Sequence, residues 1–399
     1  MPSVAEFAAL PAVRKALARL ASYEDWITDR QAEFCAIPAP SFEEHARAEY
    51  FVRQFTRLKL ENVRQDSEGN VLAEIPGAAA KRDRKIVAVT AHLDTVFPRN
   101  TAVAVRRERG RLLGPGVTDN GAGLSALLAV ARVVRECAIE TRDTLLFVPN
   151  VGEEGQGNLR GMRHLLSHGS LTEKLRAVLV VDGPGHEHVV TEGLGSRRFE
   201  VSFEGPGGHS WRDFGTVNPV YALGRAVGEI AGVPLSEGAQ STCSVTEIRA
   251  GTSVNSIPTS ATMKVDIRSS CENEMTRLAA RVKEIAEAAS EHESRRASRG
   301  GLRVAITDIG HRPAAALPEN ARILAVLREV DQHLGIATRL EQSSTDANVP
   351  FSLGIEAVCI GAGGRGGGTH STAEWFDPEG RVLGLQRILL ATIALAGEA

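Results

Sequence analysis

The stretch KIVAVTAHLD (85–94) is an apolar run that ends in two polar residues, His92 and Asp94. The runs VLAEIPG (71–77), TLLFVPNVGEE (144–154) and AVLVVDG (177–183) are also apolar, and the last two end in acidic residues. Continuous apolar runs separated by helical stretches are typical of buried strands in α/β proteins. We therefore predict an α/β fold with a mostly parallel central sheet and helices on both faces.

The pattern changes near residue 194. The segments that follow are a strand-like 196–205, a helical 218–232, strand-like 241–251 and 260–270, a charged helix 272–297 and a strand-like 302–309. This βαββαβ order predicts an inserted α+β domain of the ferredoxin-like type. The α/β pattern then returns, with a helix near 319–334, a strand at 356–363 and a closing helix from about 379. We place a metal-binding catalytic domain at 1–194 and 312–399, and a lid or dimerisation domain at 195–311.

Composition limits the partners. With 399 residues the chain exceeds what one hydrophobic core usually supports. The net charge is -3, and no basic stripe is interleaved with aromatic residues, so we expect a small molecule or short peptide rather than nucleic acid. The chain contains no long uncharged apolar run and no signal-peptide pattern at its start, which predicts no membrane association and a cytoplasmic location. The five scattered cysteines fit reduced thiols.

Two blocks offer histidine and aspartate as candidate metal ligands. His92 and Asp94 are two positions apart and share one face of an extended segment, so His92 can bind metal while Asp94 binds its other ring nitrogen or a neighbouring ligand. Asp119 lies in the glycine-rich GPGVTDNGAG (114–123), where a carboxylate could bridge two ions. Asp119 could equally be a helix N-cap or turn residue, and His92 alone could be structural.

Three further blocks complete the set. Glu153 and Glu154 are adjacent after a strand, so one can bind metal while the other accepts a proton. Asp182 follows in VVDG, and His370 lies in GGGTHSTAEW. Each could be a solvated loop or turn residue. Their joint occurrence at strand ends and in glycine loops favours one site, and histidine nitrogen with carboxylate oxygen suits zinc, manganese or cobalt.

In order, the blocks AHLDTV, GPGVTDNGAGLSALL, NVGEEG, VVDG and GGGTHS, with GPGGHS in the insertion, resemble the M20 family of metallopeptidases. The resemblance implies two divalent ions, zinc first, with manganese or cobalt as alternatives. It assigns His92, Asp119 and Asp182 to one ion, and Asp119, Glu154 and His370 to the other. Glu153 becomes the general base for a metal-bridging water, and Asp94 orients His92.

The chain looks most like the tripeptide-aminopeptidase-like branch, because it has Asp182 in VVDG and SSTDAN at 343–348. His209 in GPGGHSW resembles the lid histidine that family dimers lend across the subunit interface, which implies a possible homodimer through the lid. Asn255 in SVNSIP and Arg268 in VDIR resemble lid residues that hold substrate polar or carboxylate groups. His209 could also be a local loop histidine, and Arg268 could pair with a surface acid.

The resemblance implies an enzyme that cleaves a peptide or amide bond, with an aminopeptidase acting on short peptides as the first hypothesis. One alternative keeps the metal core and hydrolyses a non-peptide amide, as a deacylase of N-acyl amino acids or of an unusual amine does. A second alternative, of another class, is a non-catalytic metal-binding relative.

Overall fold

The computed structural model describes residues 3–167, 169–238 and 240–398. These residues form two compact units, one of Met1–Gly193 with Ala316–Ala399 and one of Leu194–Ala315. We call the first the main unit and the second the inserted unit. The sequence placed the insertion at residues 195–311.

The main unit begins with small helices and the strands of a large sheet. In chain order its first elements are α1 (Val4–Ala9), α2 (Pro11–Ser22), α3 (Glu24–Cys35), α4 (His45–Arg57), β1 (Glu61–Gln65), β2 (Val71–Ile75), β3 (Ile86–His92), β4 (Arg106–Glu108), β5 (Arg111–Leu113), α5 (Gly121–Glu136), β6 (Thr144–Asn150), α6 (Arg160–Ser167), α7 (Gly169–Thr172), β7 (Leu175–Val181) and β8 (His188–Gly193). The apolar runs identified in the sequence are β2, β3, β6 and β7. All of β6 and most of β3 and β7 are buried, as expected for strands covered on both faces.

The inserted unit is a four-stranded antiparallel sheet with two long helices. Its elements are β9 (Gly195–Glu204), β10 (Gly208–His209), α8 (Pro219–Ala231), β11 (Ser241–Ala250), β12 (Ser256–Ile257), β13 (Ser260–Ser269), α9 (Glu272–Arg296) and β14 (Arg303–Arg312). The strand order β11-β13-β9-β14 is that of the ferredoxin-like unit. Phe199, Val201 and Phe203 alternate along β9 and lie in one core with buried residues of α8 and α9. The inserted α+β fold is therefore confirmed.

The chain then completes the main unit. The remaining elements are β15 (Ala315–Ala316), α10 (Arg322–Leu334), β16 (Arg339–Ser343), α11 (Asn348–Ser352), β17 (Ala357–Ile360), β18 (Arg365–Gly367), β19 (Trp375–Asp377) and α12 (Arg381–Ala396). Strand β17 is shorter than the predicted 356–363, because Gly363 and Gly364 take positive φ angles and turn the chain.

The large sheet has the order β1-β2-β6-β3-β7-β17-β8-β15, with β16 beside β8. The neighbours β6, β3, β7 and β17 run parallel, and antiparallel pairs lie outside them. Helices α5 and α12 pack against β3. The prediction of an α/β fold with a mostly parallel central sheet is confirmed. Since β3, β6 and β7 are parallel neighbours, the residues that follow them lie at the same edge of the sheet.

A second, small sheet joins two distant loops of the main unit. Its order is β18-β19-β5-β4, so it ties the segment before α5 to the segment around His370. None of the helices in the described residues combines the length and apolar character that crossing a bilayer requires.

Candidate metal centre

His92 is the last residue of β3 and is 1% exposed. Its Nδ1 lies 3.0 Å from the main-chain carbonyl of Asp94, which can only accept, so Nδ1 carries the ring proton of a neutral imidazole. The other nitrogen, Nε2, is 3.0 Å from Asp119 Oδ1 and 3.6 Å from Asp182 Oδ1. His92 therefore directs a potential ligand nitrogen at two carboxylates.

Asp119 lies directly before α5, and its two oxygens face different histidines. Oδ1 is 3.0 Å from His92 Nε2, and Oδ2 is 3.1 Å from His370 Nε2. The helix is capped instead by Asn120, whose side-chain oxygen accepts from the amide of Gly123. The reading of Asp119 as an N-cap thus fails, because the next residue fills that position. A carboxylate shared in this way is the arrangement that bridging two ions requires.

The position of Asp119 follows from how closely α5 approaches β7. Asn120 Nδ2 donates to the carbonyl of Val181 at 2.9 Å, and Asp182 is the residue after Val181. A Cβ on Gly123 would lie 2.3 Å from that same carbonyl oxygen, so only glycine permits the approach.

His370 and Glu154 form the other side of the cluster. His370 Nε2 is 3.2 Å from Glu154 Oε1. Three residues with ligand atoms within 4.8 Å of one another form each of two groups, which are His92 with Asp119 and Asp182, and Asp119 with Glu154 and His370. The donors are imidazole nitrogen and carboxylate oxygen, which fit zinc, manganese or cobalt. A third such group contains His92, Glu153 and Glu154.

The histidines and carboxylates of the cluster shift one another's pKa values. Burial lowers the pKa of His92, but hydrogen bonds to Asp119, Asp182 and Asp94 outweigh it and raise that pKa well above the ordinary value. Hydrogen bonds to Asp119 and Glu154 raise the pKa of His370 to about 10. Burial raises the pKa of Glu154. Without an ion, the imidazoles hold protons between the carboxylates, and a divalent cation would have to displace them.

Asp94 is fully buried and holds the backbone of the two glutamates. Its Oδ1 accepts from the amide of Glu153 and its Oδ2 from the amide of Glu154, both at 2.9 Å. Ser41 Oγ also donates to Oδ2, at 2.6 Å. Asp94 Oδ1 is 3.5 Å from His92 Nδ1, and the Asp94 carbonyl is nearer. Asp94 thus contacts both His92 and the segment that carries Glu153, which is 5% exposed.

Sequence reasoning missed Glu374, which lies four residues after His370 and is 0% exposed. Its carboxylate accepts from the amides of Thr118 at 2.7 Å, Asp119 at 2.8 Å and Gly116 at 2.7 Å. Burial raises the pKa of Glu374 to about 7. No spacing in the sequence indicates that Glu374 binds the Asp119 amide, because the two residues are 255 positions apart. The available signal was an acidic residue directly before two aromatic residues, Trp375 and Phe376.

Asn150 was also missed, and Asp346 was identified only as part of SSTDAN (343–348). Asn150 ends β6 beside His92, and its Nδ2 donates to Asp346 Oδ2 at 2.7 Å, with both side chains buried. This pair joins the SSTDAN segment to the edge of the sheet where the cluster lies.

The three predicted lid residues belong to the inserted unit. His209 lies on β10, and its Nδ1 accepts from the amides of Trp211 and Arg212 at 3.2 and 3.4 Å. The proton of a neutral His209 ring is therefore on Nε2, which makes that nitrogen a donor. The carbonyl of Asn255 accepts from the amide of Ser210 at 3.0 Å, so the two loops are adjacent.

Arg268 is held in an ion pair on the sheet. Its Nε donates to Asp266 Oδ2 at 2.9 Å, and Arg198 Nε donates to the other oxygen at 2.9 Å. One carboxylate is thus shared by two guanidinium groups.

The chain belongs to peptidase family M20/M25/M40, whose defining sequence pattern matches residues 88–394. This is a family of hydrolases, so the prediction that the protein is an enzyme is confirmed. A curated relative, the cytosol non-specific dipeptidase of Escherichia coli (strain K12), is 35% identical over 114 residues. That match spans 25% of this chain and 23% of the dipeptidase.

Solved structures share the fold over nearly the whole length. The aminopeptidase PepT of Bacillus cereus ATCC 10987 has a TM-score of 0.73 at 20% identity, covering 94% of this chain and 98% of that one. A dinuclear metal-binding M20 peptidase of Bacillus subtilis has a TM-score of 0.68 at 18% identity, covering 94% and 99%. An amidase of the hydantoinase/carbamoylase family from Burkholderia vietnamiensis has 0.69 at 18%, covering 94% and 98%.

Proposed function

We propose that this protein is a hydrolase dependent on two metal ions, with His92, Asp119 and Asp182 at one ion and Asp119, Glu154 and His370 at the other. The observation that carries the proposal is the division of the Asp119 carboxylate, with one oxygen at 3.0 Å from His92 and the other at 3.1 Å from His370. When bound, such a pair of divalent ions, zinc foremost, polarises the scissile carbonyl and acidifies water.

The protein's own groups would move the proton. Glu153 is the proposed general base, because it is adjacent to the ligand Glu154 and shares a potential ion-binding group with His92. It takes the proton from the attacking water and passes it to the leaving amine. Asp94 keeps Glu153 in place by accepting a hydrogen bond from the backbone amide of Glu153. Because both residues are buried, the low local dielectric strengthens this hydrogen bond.

The inserted unit would supply groups for the substrate. His209 is proposed to donate from Nε2 to the oxyanion that forms on the carbonyl. Asn255 and Arg268 are proposed to hold polar or carboxylate groups of the substrate. The ion pair with Asp266 supports this for Arg268, since it fixes Nε and so limits the orientations of the planar guanidinium.

The proposed reaction is aminopeptidase cleavage of short peptides. The likeness to an aminopeptidase and to a dipeptidase supports it. A non-peptide amide is the second candidate, supported by the comparable likeness to an amidase. We further propose a cytoplasmic location, supported by the relative named as cytosolic, and a homodimer formed through the inserted unit.

A substrate panel separates these activities. Metal-loaded protein is assayed against di- and tripeptides, N-acyl amino acids and N-carbamoyl amino acids, with product amines quantified. Preferred turnover of peptides with a free N-terminus supports the aminopeptidase. Turnover confined to acyl or carbamoyl compounds would replace it with the amidohydrolase.

A single substitution tests the mechanism. Glu153→Gln keeps the shape of the side chain and removes its basicity, so we expect kcat to fall by about 10²–10⁴-fold while two ions per chain are retained. Metal content by atomic emission and steady-state rates give the readout. Glu140→Gln, at an exposed position in the same unit, is the control. Wild-type turnover in Glu153→Gln would refute the assignment.

A further inference from the structure

Arg160, the first residue of α6, makes ion pairs with two carboxylates, those of Glu44 and Glu68. Its Nη2 donates to both oxygens of Glu44, each at 2.7 Å. Its Nη1 donates to the Glu68 carboxylate at 2.7 Å and to the Glu68 carbonyl at 3.0 Å. The two terminal nitrogens of one planar guanidinium thus bind two different glutamates, so this side chain is held in one orientation.

The same side chain lies against Gly152, the residue before Glu153. A Cβ built on Gly152 would be 2.4 Å from Arg160 Cγ and 2.6 Å from Nε, and Gly152 has a φ of +65°. In addition, the Arg160 amide donates to the Gly152 carbonyl at 3.2 Å. We call Gly152–Glu154 the glutamate segment. Arg160 therefore contacts the beginning of this segment with both its main chain and its side chain.

Glu44 connects this contact to the other end of the segment. It is 3% exposed, and a carboxylate buried to that degree needs a paired cation. Three residues earlier, the single hydroxyl proton of Ser41 is shared between Asp94 Oδ2 at 2.6 Å and the carbonyl of Glu154 at 3.2 Å. The Ser41–Glu44 turn and Arg160 thus hold the segment at Glu154 and at Gly152, while Asp94 binds the amides between.

We propose that Arg160, paired with Glu44, is a positioning residue that fixes Glu153 before any ion or substrate binds. None of its contacts uses a side chain assigned as a metal ligand, so the segment is held independently of the ions. Because a displacement of about 1 Å can cost a reaction on the order of 10²-fold, this pair sets how well the base is aligned. The inference rests on the proposed role of Glu153.

The test compares Arg160→Gln with Arg160→Lys. For Arg160→Gln we expect kcat to fall about 10–100-fold with KM within about twofold of wild type and with two ions bound. Hydrogen exchange of residues 150–157 should accelerate in the metal-free protein, with exchange elsewhere in the main unit unchanged. Arg160→Lys should be intermediate, since it keeps the charge but has one nitrogen in place of the two that bind Glu44 and Glu68.

Arg132→Gln is the matched control. Arg132 pairs with Glu136 at 2.7 Å, and its side chain is 22% exposed against 17% for Arg160. If Arg160→Gln does not fold, Glu44→Gln gives the same test, because it leaves Arg160 bound to Glu68.

Two results would overturn the inference. One is wild-type kcat and exchange in Arg160→Gln; the other is exchange that accelerates uniformly through the main unit, which would show a purely structural role. Failure of the proposed function itself would appear elsewhere, as undiminished turnover in Glu153→Gln. The exchange experiment reads the segment in metal-free protein and is informative in either case.

Discussion

At the scale of single residues, the distinction between a shared ligand and a single-ion ligand can be tested directly. Asp119 faces both histidines, whereas Asp182 lies near His92, at 3.6 Å. Asp119→Asn should therefore weaken the binding of both ions. The amide nitrogen cannot act as a ligand to one ion, and the remaining amide oxygen, which faces the second ion, no longer carries a negative charge.

Asp182→Asn is the comparison variant and should lose one ion while retaining the other. Ions per chain are counted after equilibrium dialysis against graded free zinc. Equal losses in the two variants would contradict the assignment of Asp119 as the bridge.

Protonation gives a second residue-scale prediction. In the ion-free protein the pKa of His370 is raised to about 10 by its carboxylate partners, so the ring carries a proton at neutral pH. An ion must displace that proton, and lowering the pH therefore weakens metal binding. Calorimetric titration with zinc at pH 8 and pH 6 should show weaker apparent affinity at pH 6 and proton release in buffers of different ionisation enthalpy. Affinity independent of pH would contradict it.

At the scale of elements, the glycine-rich segments are positioned by contacts that the sequence does not reveal. The strands could be predicted from their apolar runs. The polar residues that follow these runs, His92, Glu154 and Asp182, also indicate where the parallel strands end. The contact of the loop before α5 with the loop after β18 could not be predicted. It depends on the small sheet and on the three amides bound by Glu374, and neither has a local pattern.

Glu374 should therefore control metal binding without touching an ion. In Glu374→Gln the side-chain nitrogen cannot accept, so at least one amide before α5 loses its partner. We expect metal affinity to fall about 10–100-fold, as for other groups that orient ligands. The control is Glu379→Gln, whose side chain is 75% exposed. Unchanged affinity in Glu374→Gln would show that the loop keeps its geometry without this carboxylate.

The inserted unit also contains a carboxylate that accepts several hydrogen bonds, that of Glu274 on α9. Glu274 accepts from Arg277 Nη2 at 2.7 Å and from the hydroxyl of Ser236 at 2.6 Å, and the bond to Arg277 is the main cause of its pKa falling to about 2. A folded-state pKa below the ordinary 4.5 means that the stabilisation is complete above pH 4.5 and is lost as the pH falls toward 2.

Glu274→Gln should consequently lower the free energy of unfolding by about 1 kcal/mol at pH 7 and by less at pH 3.5. Urea unfolding at both pH values measures the difference. Glu284→Gln, which removes an exposed pair with Arg281 on the same helix, should change little at either pH. If the loss of unfolding free energy in Glu274→Gln were larger at pH 3.5 than at pH 7, the expected direction of the pH dependence would be contradicted.

At the scale of the whole molecule, the proposed homodimer can be tested through an edge of the inserted sheet. Strand β11 is an edge of the inserted sheet, and Ile248 on it is 53% exposed. An unpaired edge with an exposed apolar side chain can continue into the sheet of a second copy across a two-fold axis. Light scattering should give twice the 42.6 kDa of one chain, and Ile248→Glu should shift the mass toward the monomer. A monomeric wild type would refute the dimer.

Mixing two inactive variants then shows which chain each His209 serves. In a mixed dimer of His209→Ala with Glu153→Gln, one chain keeps Glu153 and the other keeps His209. If His209 acts in the partner's site, one complete site forms, and activity returns to about a quarter of wild type when the chains assort at random and each site acts independently. If His209 acts in its own chain, neither site is complete and the mixture stays inactive. Each variant incubated alone is the control.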